Sequence, residues 1–189
     1  MTVWPHLWDM VGNAAMLEAR DATIAAAIAG DEMAFARIVR DHHDDMARVC
    51  QVITGDPDLA QEAAQAAWPI AWRRLRTLRD AAKLRAWLVT IAANEARQLL
   101  RRQRRDRVVA IDAVEVVSRE QDPGGRVDAL DLMHAFRRLD VADRELLSLR
   151  YVAGFDATEI GLAIRMTPSG VRTRLSRLIA RLRLEVGDA

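Results

Sequence analysis

A single cysteine, Cys50, stands among 189 residues, so no disulfide can form within the chain and a reducing compartment suits it. Aromatic residues make up only 5%, glycines number 9 and prolines 5. β-branched runs are also scarce. Ala and Leu supply much of the 51% hydrophobic content, which points to an all-α protein. No apolar run approaches the ~20 residues of a membrane span. The opening MTVWPHLWDM lacks a basic n-region and an unbroken apolar h-region, so no signal peptide is expected and the protein is placed in the cytoplasm. No nucleophile–base pair, metal-ligand spacing or phosphate-cradling glycine loop is present, so neither an enzyme nor a cofactor is expected. His42-His43 beside Asp44-Asp45 does not make a metal site. Neighbouring residues on a helix point about 100° apart and do not converge on one ion.

What is present is charge, and it is segregated. The net value of +1 conceals a basic tract from Arg73 to Arg107, opposed only by Asp80, Glu95 and Asp106, and an acidic tract from Asp106 to Asp131. Such separation suits a surface that faces a polyanion beside one that does not.

The most informative stretch is Phe155 to Arg183, FDATEIGLAIRMTPSGVRTRLSRLIARLR. Asp156 caps a short helix, with Glu159 three residues on to complete a capping box. Ile160 and Ile164 repeat at helical spacing. Thr167 caps a second helix with Pro168 at its first position, where a missing N–H costs nothing. Val171, Leu175, Leu178 and Leu182 then form an apolar stripe, leaving Arg172, Thr173, Ser176, Arg177 and Arg183 off it. A capped basic helix packed across a short one is how a helix-turn-helix presents a recognition helix to the major groove. An ordinary amphipathic helix with solvated arginines is the competing reading.

Residues 1–20 form an extension with no assigned function, and Met10 or Met16 would serve equally well as a start. A helix is expected over Ala22–Ala29, restarted by Gly30-Asp31. The next carries Phe35, Ile38, Val39, His42, Met46, Val49, Cys50 and Ile53 on one face. Gly55-Asp56-Pro57 ends it, and Asp58 opens a third helix that Pro69 should bend. Trp68 and Trp72 share a face there and read as core. After a connection near Thr77–Ala82, a fourth helix over Lys83–Arg105 turns Leu84, Trp87, Leu88, Ile91, Ala92 and Leu99 inward. Its other side is cationic, with a tryptophan and an asparagine suited to nucleic acid. Residues 106–127 contain Pro123-Gly124-Gly125 and read as an acidic linker. Helices over Val127–Leu139 and Ala142–Val152 precede the helix-turn-helix.

Two helical units, each with a basic helix, resemble an extracytoplasmic-function (ECF) sigma factor of the sigma-70 family. The resemblance rests on GDEMAF, AQEAAQAAWPIAW and WLVTIAANEARQLLRR in the first unit. In the second it rests on LRYVAGFDATEIG and MTPSGVRTRLSRLIARLR. It implies a sigma region 2 over residues 21–105 and a region 4 over residues 128–189, with no region 3 between. By the same resemblance Glu62 and Gln65 bind core RNA polymerase, on the clamp helices of its β′ subunit. Lys83, Arg85, Trp87, Asn94, Arg97 and Arg101 sit where the family opens the −10 promoter element and traps an unstacked base. Ser169, Arg172, Thr173, Ser176 and Arg177 are the candidates for reading the −35 element. The implied partners are core polymerase (β and β′ subunits), promoter DNA and an anti-sigma factor, with no membrane insertion. Gln61, Ala63 and Ala64 depart from the acidic and larger apolar residues usual in the polymerase-binding helix, and Arg165 stands where the turn often has glycine. The alternative function is an autonomous helix-turn-helix regulator with residues 21–105 as a sensor. The basic, aromatic helix in the first unit speaks against it.

Overall fold

The computed structural model describes residues 18–110, 136 and 138–187, and every element among them is helical. Helix α1 spans residues 18–28, with Ile24 and Ala27 buried. It begins earlier than the expected Ala22. Helix α2, Glu32–Thr54, starts at Asp31, whose carboxylate accepts from the N–H groups of Met33 and Ala34 at 2.8 and 3.0 Å. It ends at Gly55, left-handed at φ 71°. Ala34, Ile38, Met46, Val49, Cys50 and Ile53 are buried along it, while Phe35, Val39 and His42 are half-buried at the edge of that face.

Helix α3, Pro57–Arg74, corrects the expected start at Asp58. Asp56, read as part of a terminator, is the cap: its carboxylate accepts from the N–H groups of Asp58 and Leu59 at 2.9 and 3.0 Å, and Pro57 fills the first helical position. The helix runs through Pro69 to Arg74. The Gln65 carbonyl, which Pro69 cannot serve, belongs to a side of the helix where both residues are exposed to water. Ala60, Ala63, Ala64, Ala67 and Ala71 are all buried. Their small side chains form the face that packs on α2 and α4. Trp68 is buried and donates its indole N–H to Nδ1 of His43 at 3.2 Å; Trp72 lies half-buried with its ring centroid 4.7 Å from that of Phe35.

Two short 3₁₀ turns, Leu75–Thr77 and Ala81–Lys83, lead into α4, Leu84–Ala110. Of the residues expected to face inward, Leu84, Leu88, Ile91 and Ala92 are buried, whereas Trp87 and Leu99 are half-buried. Helix α4 extends beyond the expected Arg105 into the tract read as linker. No glycine or proline interrupts that sequence before Pro123, so nothing local stops the helix at Arg105. Residues 111–127, with the acidic linker expected there, lie outside the described residues, as does most of the helix expected over Val127–Leu139.

Helix α5, Val141–Leu147, is capped by Asp140. A π-helical turn, Ser148–Val152, replaces the second half of the single helix expected over Ala142–Val152. Helix α6, Ala157–Ile164, carries the reciprocal capping box of Asp156 and Glu159. Arg165 closes it in the left-handed region, at φ 58° and ψ 50°. Helix α7, Pro168–Gly187, begins where Thr167 accepts from the Gly170 N–H at 3.2 Å. Helix α2 is the hub of the core, touching α3, α4, α5 and the π-helical turn.

Candidate nucleic-acid interface

Helix α7 divides cleanly. Val171, Leu175 and Leu178 are buried and Leu182 is half-buried. Ser169, Arg172, Thr173, Ser176 and Arg177 are all exposed. The helix is held by two arginines that were not singled out in the sequence. Arg174 donates through Nε and Nη2 to one carboxylate oxygen of Asp143, at 3.0 and 2.8 Å, and Arg181 donates to the other at 2.8 Å. Asp143 is buried on α5, so these bonds fix the rotation of α7 about its axis and leave Arg172 and Arg177 facing outward. Their signal was the spacing of seven residues between Arg174 and Arg181, beside the apolar stripe.

The six candidates on and before α4 do not share one surface. Lys83 is exposed, and with Trp87 it lines one wall of a cleft of about 680 Å³ whose other wall includes Phe155, Glu159 and Leu162. Asn94 lies in a second cleft, about 430 Å³, with Arg73, Arg74, Gln98 and Arg102. Those three arginines extend the cationic surface beyond the residues first named. Arg101 is exposed. Arg85 and Arg97 point elsewhere. Arg85 donates to Asp45 of α2 at 2.7 Å and to the Ala153 carbonyl at 2.5 Å. Arg97 pairs with the buried carboxylate of Glu145 at 3.2 Å and also donates to Oδ1 of Asn94. Burial pushes the Glu145 carboxyl above its ordinary pKa, although Arg97, Arg101 and Arg174 pull the other way.

Glu62 and Gln65 are both exposed on α3, opposite its buried alanines. His42 is half-buried, and desolvation lowers its pKa despite the nearby carboxylates of Asp45 and Asp41. Among the described residues, no three His, Cys, Asp or Glu side chains converge to hold a metal, and no helix is long and apolar enough to cross a membrane.

The sigma-70 region 2 family matches residues 38–106, which covers α3 and most of α2 and α4. The chain is 29% identical over 168 residues to a probable RNA polymerase sigma factor, RfaY, of Xanthomonas campestris pv. campestris, covering 85% of this chain and 42% of that one. It is 28% identical over 174 residues to the ECF RNA polymerase sigma factor SigM of Mycobacterium tuberculosis, covering 91% of this chain and 87% of the relative. To the RNA polymerase sigma factor CarQ of Myxococcus xanthus it is 30% identical over 135 residues, which cover 69% and 76% of the two chains. In fold it is similar to the sigma factor RpoE of Bartonella quintana, solved with the anti-sigma factor NepR. The TM-score is 0.66 at 21% identity, covering 81% of this chain and 96% of that one. Together these define an RNA polymerase sigma factor of the sigma-70 family. Within that family the chain belongs to the ECF group.

Proposed function

We propose that this sigma factor directs core RNA polymerase to promoters by dividing the work between its two helical units. Residues 21–105 act as region 2, with Glu62 and Gln65 of α3 docking on the polymerase. The turn at Lys83 and helix α4 capture the −10 non-template strand through Trp87, Asn94 and Arg101, and through Arg85 and Arg97 once these are freed. Residues 128–189 act as region 4, a helix-turn-helix in which α7 reads the −35 duplex through Ser169, Arg172, Thr173, Ser176 and Arg177. The polymerase performs the chemistry, so the chain needs no active site, and it works in the cytoplasm. An anti-sigma factor is its proposed regulator.

The observation that carries this reading is α7, with its capped start, its buried apolar stripe and its five polar candidates all on the exposed side. A helix held this way presents side chains to base edges without disturbing its own packing. One module anchors on duplex while another takes single-stranded bases by stacking and hydrogen bonding, a division that a single helix cannot perform. Beyond α4, residues 111–127, if fully extended, reach about 60 Å, enough to join modules on two separate promoter elements.

Run-off transcription tests the whole reading. Purified protein and bacterial core polymerase, on DNA upstream of the protein's own gene and neighbouring operons, should give a discrete transcript that requires both components. A duplex shift by the protein alone, with no transcript, would favour the autonomous regulator. Two substitutions test the division. Arg172→Ala should weaken −35 duplex binding by about 1–3 kcal/mol and leave polymerase binding unchanged. Glu62→Ala should impair co-elution with core polymerase while circular dichroism stays fully helical. Loss of both activities in either variant would sink the assignment.

A further inference from the structure

Helix α3 touches α2 through Gln61, Trp68 and Trp72, which recur at offsets of seven and four along one edge. That edge borders the exposed strip carrying Glu62 and Gln65. His43 of α2 sits across from it and uses both ring nitrogens. Nδ1 accepts from the Trp68 indole N–H at 3.2 Å, and Nε2 lies 3.0 Å from the terminal amide of Gln61. The rings of His43 and Trp68 are stacked, with centroids 6.4 Å apart and 28° between their planes. Phe35 packs edge-on to Trp68 at 5.9 Å, so the indole is held in place.

The hydrogen bonds fix more than position. An indole N–H can only donate, so Nδ1 of His43 is bare, and the neutral ring carries its single proton on Nε2. An N–H aimed at the Gln61 amide calls for the amide oxygen. With the oxygen turned to the ring, both N–H bonds of the amide nitrogen are left for a partner, on an exposed residue.

We infer that His43 is a positioning residue for polymerase docking and that Gln61 is the docking group it orients. The inference rests on the reading of α3 as the docking helix. Gln61 lies one residue from Glu62 and one turn from Gln65, and it presents donors where Glu62 presents a carboxylate. The group it receives is an acceptor, a carboxylate or backbone carbonyl oxygen of the polymerase. A free glutamine loses rotamer entropy when a partner immobilises it, and His43 removes that cost beforehand. His43 itself acts only through the amide.

Titration of the full-length protein against fluorescently labelled bacterial core polymerase tests this, with urea midpoints recorded alongside. Gln61→Ala should weaken binding about fivefold, the worth of one hydrogen bond. Gln61→Glu keeps an oxygen for the His43 N–H but has no N–H to offer, so it should weaken binding at least as much. His43→Asn keeps an acceptor for Trp68 but lacks the reach to Gln61. It should weaken binding about threefold with the midpoint little changed. In a Gln61→Ala background, His43→Asn should cost nothing further, because its effect runs through the amide. A second, additive loss overturns the positioning role, since a merely structural histidine would weaken both backgrounds alike. If His43→Asn does not fold, the Gln61 variants still decide. Native affinity in Gln61→Ala or Gln61→Glu, with Glu62→Ala weakened, overturns the inference and leaves α3 as the docking helix. Native affinity in all three removes α3 as the docking helix and the inference with it.

Discussion

At Gly161 the turn between α6 and α7 presses back on the helix it leaves. A Cβ there would lie 2.4 Å from the Met166 carbonyl oxygen, a backbone atom that cannot swing aside. The Met166 N–H meanwhile closes the helix on the Gly161 carbonyl at 2.9 Å. Gly161→Ala should therefore destabilise the α6–α7 pair by about 1–3 kcal/mol, read as a lower urea midpoint. Four residues on, Arg165 holds a left-handed conformation that costs a side-chain-bearing residue about 1–2 kcal/mol. Its side chain is exposed, so Arg165→Gly should shift the midpoint upward, by about 1 kcal/mol or less after the added chain entropy of glycine. Opposite signs at two positions of one turn separate a packing constraint from a backbone one. A fall for both would mean that the Arg165 side chain holds the turn by a contact of its own.

Between α5 and α7 the tie is electrostatic, and it explains what the sequence concealed. The caps at Asp156 and Thr167 and the stripes of α2 and α7 were legible because they are local: spacing of three or four residues decides them. The exposed face of α7 followed from its stripe. Asp143 carries no such signal, since its partners lie 31 and 38 residues away. The same holds for Arg85 and Arg97, which a helical wheel places on a cationic surface but long-range contacts turn inward. The π-helical turn, closed by the Ala153 N–H on the Ser148 carbonyl at 2.9 Å with Leu149 buried inside it, has no spacing signature of its own in the sequence. Asp143→Ala should cost about 2 kcal/mol, less than a fully buried pair, because the Arg174 and Arg181 side chains are 36% and 52% exposed and keep access to water. Thermal unfolding of the variant checks it, and Arg177→Ala, on the open face, should leave the midpoint unmoved.

Across the whole molecule, one buried carboxylate links stability to pH. Burial raises the Glu145 carboxyl above its ordinary 4.5, so the folded form binds a proton more tightly than the unfolded chain. Between those two values the folded state carries more bound proton, so the contribution of Glu145 is most favourable below 4.5 and is lost as pH rises through the elevated value. The folding equilibrium should change by up to about a factor of ten for each pH unit crossed in that window. Arg97, Arg101 and Arg174, which face Glu145, stay charged throughout and cannot supply the slope. His42 acts with the opposite sign. Its pKa is lowered by burial, so folding loses stability as pH falls below its ordinary 6.5. A single melting curve would mix the two, whereas comparison with Glu145→Gln isolates the carboxyl. Measured by urea unfolding between pH 4 and 7, the native protein should lose stability relative to Glu145→Gln as pH rises, since the amide keeps a hydrogen-bonding group against Arg97 but cannot ionise. A difference that stays constant across that range would place the titrating group elsewhere in the fold.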